Sequence, residues 1–328
     1  MKIALYISGL LGLALLLGLV LRSDLHGLLH AVALGGATIF WLIPYRLLFF
    51  VLYALGWDVL LRPYDPHRRL SLPYVTWIAI VREGIDRLLP VASVGGAVAG
   101  VRLAGWRGIG IAAACATVIV EVLLTLTAVW IFADIGLALL RFRSFSGVTR
   151  GGLVLVALGG LLLPLLLAVA MRYGAVFSRL ERVLSHLTGL RTLARGADTL
   201  DTEVRATLRR KGRILASGLL QLAAVASAAF EVWFALRLFG HPVSVRAALI
   251  MESLMQAARH LAFLVPAALG VQEITLIVLG GTLGVPSDLA LAVSLVKRLR
   301  EILWGVPALI SWQWSEGRRL RGSTAKAS

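Results

Sequence analysis

PYVTWIAIVREGIDRLLPVASVGGAVAGVRL, residues 73–103, is the stretch on which the fold turns. It is apolar overall, yet it carries Arg82, Glu83, Asp86 and Arg87, then Pro90 and the paired glycines Gly95 and Gly96. A proline and two glycines in mid-run break a straight helix. Broken backbone at membrane depth is tolerated only where protein or a wet cavity covers it. The stretch therefore predicts a re-entrant helical hairpin over 74–104. A second broken stretch, 245–284, has the same character, with Arg259, Pro266, Gly270 and Glu273.

The surrounding chain places these hairpins in a bilayer. Of 328 residues, 59% are hydrophobic and 15% charged, against roughly 45–50% and about 25% in soluble domains. Apolar runs near the ~20 residues of a spanning helix fall at 3–21, within 30–57, and at 108–132, 153–171, 214–238 and 288–314. The first run is longer than the ~7–15 apolar residues of a secretory signal and reads as an uncleaved span. This composition excludes disorder, and the single cysteine, Cys115, excludes a disulfide framework. Cys115 reads as a small buried side chain.

Between 172 and 213 the composition turns basic, with leucines at helical spacing. The chain then divides into a first membrane half, 1–171, a cytoplasmic amphipathic linker, 172–213, a second half, 214–314, and a basic tail, 315–328. The positive-inside rule puts the 62–69 loop, the linker, the tail and both termini in the cytoplasm, and the 141–150 loop outside. The two hairpins then open to opposite faces. They share Pro-x-Ala followed by glycine, at Pro90–Gly95 and Pro266–Gly270. The expected fold is all-α: a polytopic membrane protein with an inverted repeat and two broken helical hairpins, a pattern that points to a midplane site.

An ionisable group at the bilayer centre costs at least ~2.5–3.5 kcal/mol on insertion scales. Arg87, Arg259, Lys297 and Arg298, with Gly95, Gly96 and Gly270 at the breaks, are read as lining a polar cavity for an anionic headgroup. Glu83, Asp86, Glu121, Glu273 and Glu301 balance these cations or carry protons. Spacing of i,i+4 pairs Arg82 with Asp86, Glu83 with Arg87, and Lys297 with Glu301. The alternative is that such pairs only pin helices together, most of all Glu231 and Glu252, which fall near span ends. Arg46 reads as snorkelling to an interface, and Trp57, Trp106, Trp312 and Trp314 as interfacial anchors. Without a P-loop, an H-E-x-x-H motif, a cysteine pair or G-x-S-x-G, no cofactor, metal or catalytic residue is expected. No nucleic-acid partner is expected either.

REGIDRLLPVASVGG (82–96) with Val101-Arg102-Leu103, PAALGVQE (266–273) and SLVKRLRE (294–301) resemble blocks of the transmembrane, flippase-like part of lysylphosphatidylglycerol synthases. Within that superfamily the chain is most similar to HpnL-type hopanoid-biosynthesis-associated membrane proteins. The resemblance implies a protein of the bacterial inner membrane that moves a hopanoid, anionic or prenyl-linked lipid between leaflets through a central polar cavity. Its partners would be membrane lipids and lipid-biosynthetic enzymes. A headgroup-modifying enzyme or subunit, and a scaffold for lipid biosynthesis, remain the alternatives.

Overall fold

The computed structural model describes residues 41–89, 95–140, 150–174, 176–179, 194–262 and 270–324. The expected span at 3–21, Pro90, Pro266, Arg141, Arg143 and the linker leucines of 180–193 lie outside the described residues. Among those described there are ten α-helices and no strand: α1 Leu42–Leu61, α2 Leu72–Leu88, α3 Gly95–Gly105, α4 Ile111–Leu140, α5 Arg150–Tyr173, α6 Ala194–Arg209, α7 Lys211–Leu238, α8 Val245–Leu261, α9 Val271–Thr282 and α10 Ser287–Thr324. The segment Leu42–Tyr64, which holds α1, together with α4 and α7, is long and apolar enough to cross a membrane. On α5, Leu158, Leu162, Leu163, Leu165 and Leu166 are exposed, the surface an acyl-chain environment requires.

Both hairpin segments are broken, and local chemistry explains where. α2 starts after an extended Ser71 with Pro73 in its first turn, where the missing N–H costs nothing. It stops at Leu89, whose ψ of 142° is the extended conformation that a following proline imposes. α3 then packs back on α2. In the second half Ser244 caps α8, its Oγ accepting the Ala247 N–H at 3.2 Å. α9 starts at Gly270 and packs back on α8. α3 and α9 end alike: the Ile109 N–H donates to the Ala104 carbonyl, and the Val285 N–H to the Gly280 carbonyl. Each closure turns on a glycine of positive φ, Gly108 at 88° and Gly284 at 83°, the left-handed cap that glycine adopts without strain.

The packing pattern is two-fold. Exchanging α1 with α7, α2 with α8, α3 with α9 and α4 with α10 maps most contacts among these helices onto one another: α2 packs on α10 as α8 packs on α4, and α1 packs on α2 as α7 packs on α8, whereas α4 packs on α7 far more extensively than α10 does on α1. The self-paired helices α1 and α7 run antiparallel. Tyr45 reaches the Ser227 carbonyl, Arg46 reaches Glu231, and Arg213 reaches the Val59 carbonyl. An axis that exchanges two antiparallel helices is perpendicular to both, so the repeats are inverted. The same 18-residue step separates Pro90 from Gly108 and Pro266 from Gly284.

α2 and α10 cross at a glycine pair: a Cβ on Gly84 would lie 3.1 Å from Gly305 Cα, the close approach that small residues allow between membrane helices. On the linker, α6 lays Leu200, Val204 and Leu208 against Leu60, Ala116 and Val120. Asp201 accepts the backbone N–H groups of Phe177 at 3.1 Å and Ser178 at 2.8 Å. Burial opposes ionisation of Asp201, but the Ser178 and Phe177 hydrogen bonds and Arg205 outweigh it and hold the carboxyl below its ordinary range.

Four expectations are corrected. Trp57 is 1% exposed within the core and donates to Thr117 Oγ1, because the chain stays helical past it and α6 and α4 cover that end. Cys115 is partly exposed rather than buried. The basic tail is not a separate segment, since α10 continues to Thr324. The span expected from Gly108 begins at Ile111, because Gly108 forms the turn that ends α3.

We expect Gly84→Val or Gly305→Val to destabilise the protein by about 1–3 kcal/mol in detergent melts, and Gly281→Ala, which has open space, to be neutral or stabilising. Because the folded Asp201 carboxyl ionises more readily than in the unfolded chain, its contribution is present above the ordinary aspartate range near ~3.9 and is lost as pH falls through the folded value. Asp201→Asn at neutral pH is expected to reproduce that loss, read as faster proteolysis near 174–178.

Candidate functional site

Helix ends from both hairpins meet at one place. α2 ends there with Glu83 and Arg87, α8 ends with Arg259, α9 begins with Gln272 and Glu273, and α10 passes through with Arg298, Arg300 and Glu301. Glu301 is the shared point: Arg259 donates to its Oε1 at 3.1 Å from both terminal nitrogens. Arg87 approaches the same oxygen at 3.9 Å, Arg300 at 3.9 Å, and Arg298 approaches Oε2 at 3.8 Å. From this hub the network runs in two directions. Arg300 pairs with Glu231 of α7, which also faces Arg46 of α1 at 4.0 Å. Arg46 donates to Glu83 Oε1 at 3.0 Å, and Arg87 donates to the same oxygen at 3.4 Å. Towards α9, Arg298 donates to Glu273 Oε1 at 3.2 Å, and Gln272 bridges Arg259 to Ser294.

The assembly holds five arginines, Arg46, Arg87, Arg259, Arg298 and Arg300, against four glutamates, Glu83, Glu231, Glu273 and Glu301. Its formal charge is thus one unit positive. Most of it is buried, but one edge is open: the side chains of Arg87, Glu83 and Glu273 are 30%, 21% and 20% exposed. Cations exceed carboxylates in the assembly as a whole, and Arg87 presents its fork-shaped donors at the open edge beside Glu83 and Glu273, a geometry that suits a phosphate or carboxylate oxygen once those carboxylates give way.

Two further pairs flank the assembly. Arg82 donates to Glu121 Oε2 at 2.7 Å, with its guanidinium 5.0 Å from the Trp57 ring. Lys297 donates to Glu252 Oε2 at 2.5 Å while Gln256 holds the other oxygen at 3.0 Å. The pairs occupy matching places. Each joins the first helix of a hairpin to the long helix after it, and Glu121 in α4 and Lys297 in α10 lie equally far from their helix starts, Ile111 and Ser287. The charge signs are exchanged between the halves. Hairpin closure shows the same exchange, since Asp86 accepts the Gly96 N–H at 2.9 Å where Arg259 donates to Gln272.

Several sequence expectations change. Of the i,i+4 pairs only Glu83–Arg87 forms. Arg82 and Lys297 turn to carboxylates on neighbouring helices, because a buried charge takes the partner that best excludes solvent rather than the one nearest in sequence. Arg46 does not snorkel: it is buried, 3.6 Å from the Phe49 ring centroid. Glu231 and Glu252 are buried ion-pair members rather than residues of span ends. The Gly96 N–H is occupied by Asp86, and a Cβ on Gly96 would collide with that carboxylate, so Gly96 serves close packing of α3 on α2. Gly270 has open space around it. Arg300 was missed by the sequence reading, although its place three residues from Lys297 and next to Glu301 was a signal.

Removing one partner of the enclosed pair, Arg82→Met, is expected to cost about 3–5 kcal/mol in detergent unfolding. Arg82→Met with Glu121→Met should cost less than the single change, because no charge is then left alone in the interior. Comparison with known proteins gives one match: the family model described as the lysylphosphatidylglycerol synthase TM region fits residues 7–308. No curated protein and no solved structure matches the chain. With nearly the whole helical bundle inside the matched range, the chain belongs to the lysylphosphatidylglycerol synthase TM region family, and is a multi-pass membrane protein of a lipid-related family.

Proposed function

We propose that the protein moves a lipid, or a lipid-linked headgroup, between leaflets, with the headgroup held at the open edge of the Glu301 assembly. The observation that carries this reading is the convergence of two inverted hairpins on a charged cluster one unit positive, most of which is buried. Inverted repeats with broken helices at a central site are the construction by which secondary transporters alternate access, one repeat rocking against the other. Arg87 and Arg298 contact the headgroup oxygens, Arg259 holds Glu301 in place, and Glu83 and Glu273 release their arginines to an incoming anion. Lys297–Glu252 and Arg82–Glu121 brace the two halves, and Glu121 is the candidate proton carrier. Acyl chains remain outside, in the bilayer.

We assign the protein to the bacterial inner membrane with both termini cytoplasmic, on the distribution of arginine, and a hopanoid, anionic or prenyl-linked lipid as substrate, on the sequence resemblance. We divide the chain into halves at 1–171 and 214–314, joined by a linker at 172–213, a reading supported by the exchange of α1–α4 with α7–α10. A second reading, a headgroup-modifying enzyme or subunit, draws on the synthases named in the family description.

The test is a leaflet-sidedness assay in proteoliposomes with fluorescent anionic lipid. Arg87→Ala with Arg298→Ala is expected to slow transfer at least tenfold, while Arg62→Ala, a surface cation paired with Asp58, leaves it unchanged. Equal rates for the intact and doubly substituted proteins would remove this assignment. A change in lipid mass instead of sidedness would favour the enzyme.

A further inference from the structure

Far from the Glu301 assembly, at the end of the bundle where α3 and α10 finish, a second concavity of about 690 Å³ is lined by Tyr74, Trp77, Trp106, Arg107, Ser315, Arg318 and Arg319. Its size falls within the range of small-ligand sites. Each of its arginines lies near an aromatic ring. The Arg107 guanidinium is 4.5 Å from the Tyr74 centroid, that of Arg319 is 5.2 Å from Trp106, and that of Arg318 is 4.4 Å from Trp314. Such contacts hold a cation without neutralising it.

The carboxylate nearest in sequence is already engaged: Glu316 pairs with Arg102. Among the described residues Arg107, Arg318 and Arg319 form no ion pair. A fourth guanidinium, Arg69, stands at the same corner, with Nη1 2.7 Å from where a Gly108 Cβ would lie. The polar ends of Tyr74 and Trp77 are spoken for, since Tyr74 donates to the Leu103 carbonyl and Trp77 to Ser311 Oγ, each at 2.9 Å. Guanidinium N–H groups are therefore the donors left to a ligand.

We propose that this concavity binds the phosphodiester headgroup of an anionic membrane lipid. Three guanidiniums without carboxylates select a net negative group. Tyrosine and tryptophan beside the end of a membrane bundle mark the depth at which lipid phosphates lie, and Trp314, 64% exposed, continues the apolar rim towards the acyl region. A bound headgroup joins the end of α3, through Trp106 and Arg107, to α10, through Arg318 and Arg319. It thereby fastens the first hairpin to the last helix beside the existing Arg102–Glu316 pair. The proposal is independent of the transport reading, because none of its residues belongs to the Glu301 assembly.

The test uses the full chain, delipidated in neutral detergent, and reads the melting midpoint with short-chain phosphatidylglycerol, phosphatidylcholine of the same chain length, or inorganic phosphate. Phosphatidylglycerol is expected to raise the midpoint by about 3 °C or more, and the other two by less than about a third of that. Arg107→Gln with Arg319→Gln should abolish the rise, whereas Arg62→Gln should keep it. If the double variant does not fold, the wild-type salt series decides. Exposed arginines are screened as the Debye length falls from ~10 Å at 0.1 M to ~3 Å at 1 M, so the rise should disappear over that range. An equal rise with phosphatidylcholine, an equal rise with free phosphate, persistence in a folded double variant, or insensitivity to salt would each overturn the proposal.

Discussion

One carboxylate holds the centre of this molecule. Glu301 sits within 4 Å of Arg87 from the first hairpin, Arg259 from the second, and Arg298 and Arg300 from its own helix. A buried carboxylate is tolerable only with compensating cations, and these arginines are tolerable only with compensating carboxylates. Neither hairpin can present its charged end to the bilayer interior alone, so the two must meet. Desolvation makes such assemblies poor sources of net stability; their effect is to reject other arrangements, because any slip of α2 or α8 past α10 leaves a charge unpaired.

The inverted repeat supplies the geometry for that meeting. A two-fold axis perpendicular to α1 and α7 relates the two hairpins, and both second arms end in matching glycine closures at Gly108 and Gly284. The halves are equivalent in backbone but complementary in charge. Glu121 answers Lys297, and Asp86 answers Arg259. Where like charges do meet between the halves, at Arg87 and Arg259, the Glu301 carboxylate lies between them.

Much of this was legible in the chain. Long apolar runs, the interrupted stretches at 73–103 and 245–284 and the surplus of arginine point to a polytopic helical bundle with broken hairpins. Residue types at the site were legible as well, since charges are rare in apolar runs. Partners were not. The i,i+4 rule succeeds for Glu83 and Arg87, at the semi-exposed edge, although Arg46 of α1 shares the Glu83 oxygen and Arg87 also approaches Glu301 of α10. It fails for Arg82 and Lys297, in the interior, where neighbouring helices bring carboxylates of better geometry. Arg46 and Trp57 were misplaced for a related reason: distance along a span does not tell which residues another helix will cover.

By itself, the sequence determined composition, periodicity and punctuation: that the chain enters a membrane, where proline and glycine interrupt it, and which charges must find company there. These are local properties, carried by solvation and backbone sterics. Tertiary structure alone decided which charge meets which, that Glu301 is shared, that Gly84 lies against Gly305, and that one edge of the charged assembly stays open. Such facts depend on the close approach of helices tens to more than two hundred residues apart along the chain, where packing and desolvation act together and no short-range rule reaches.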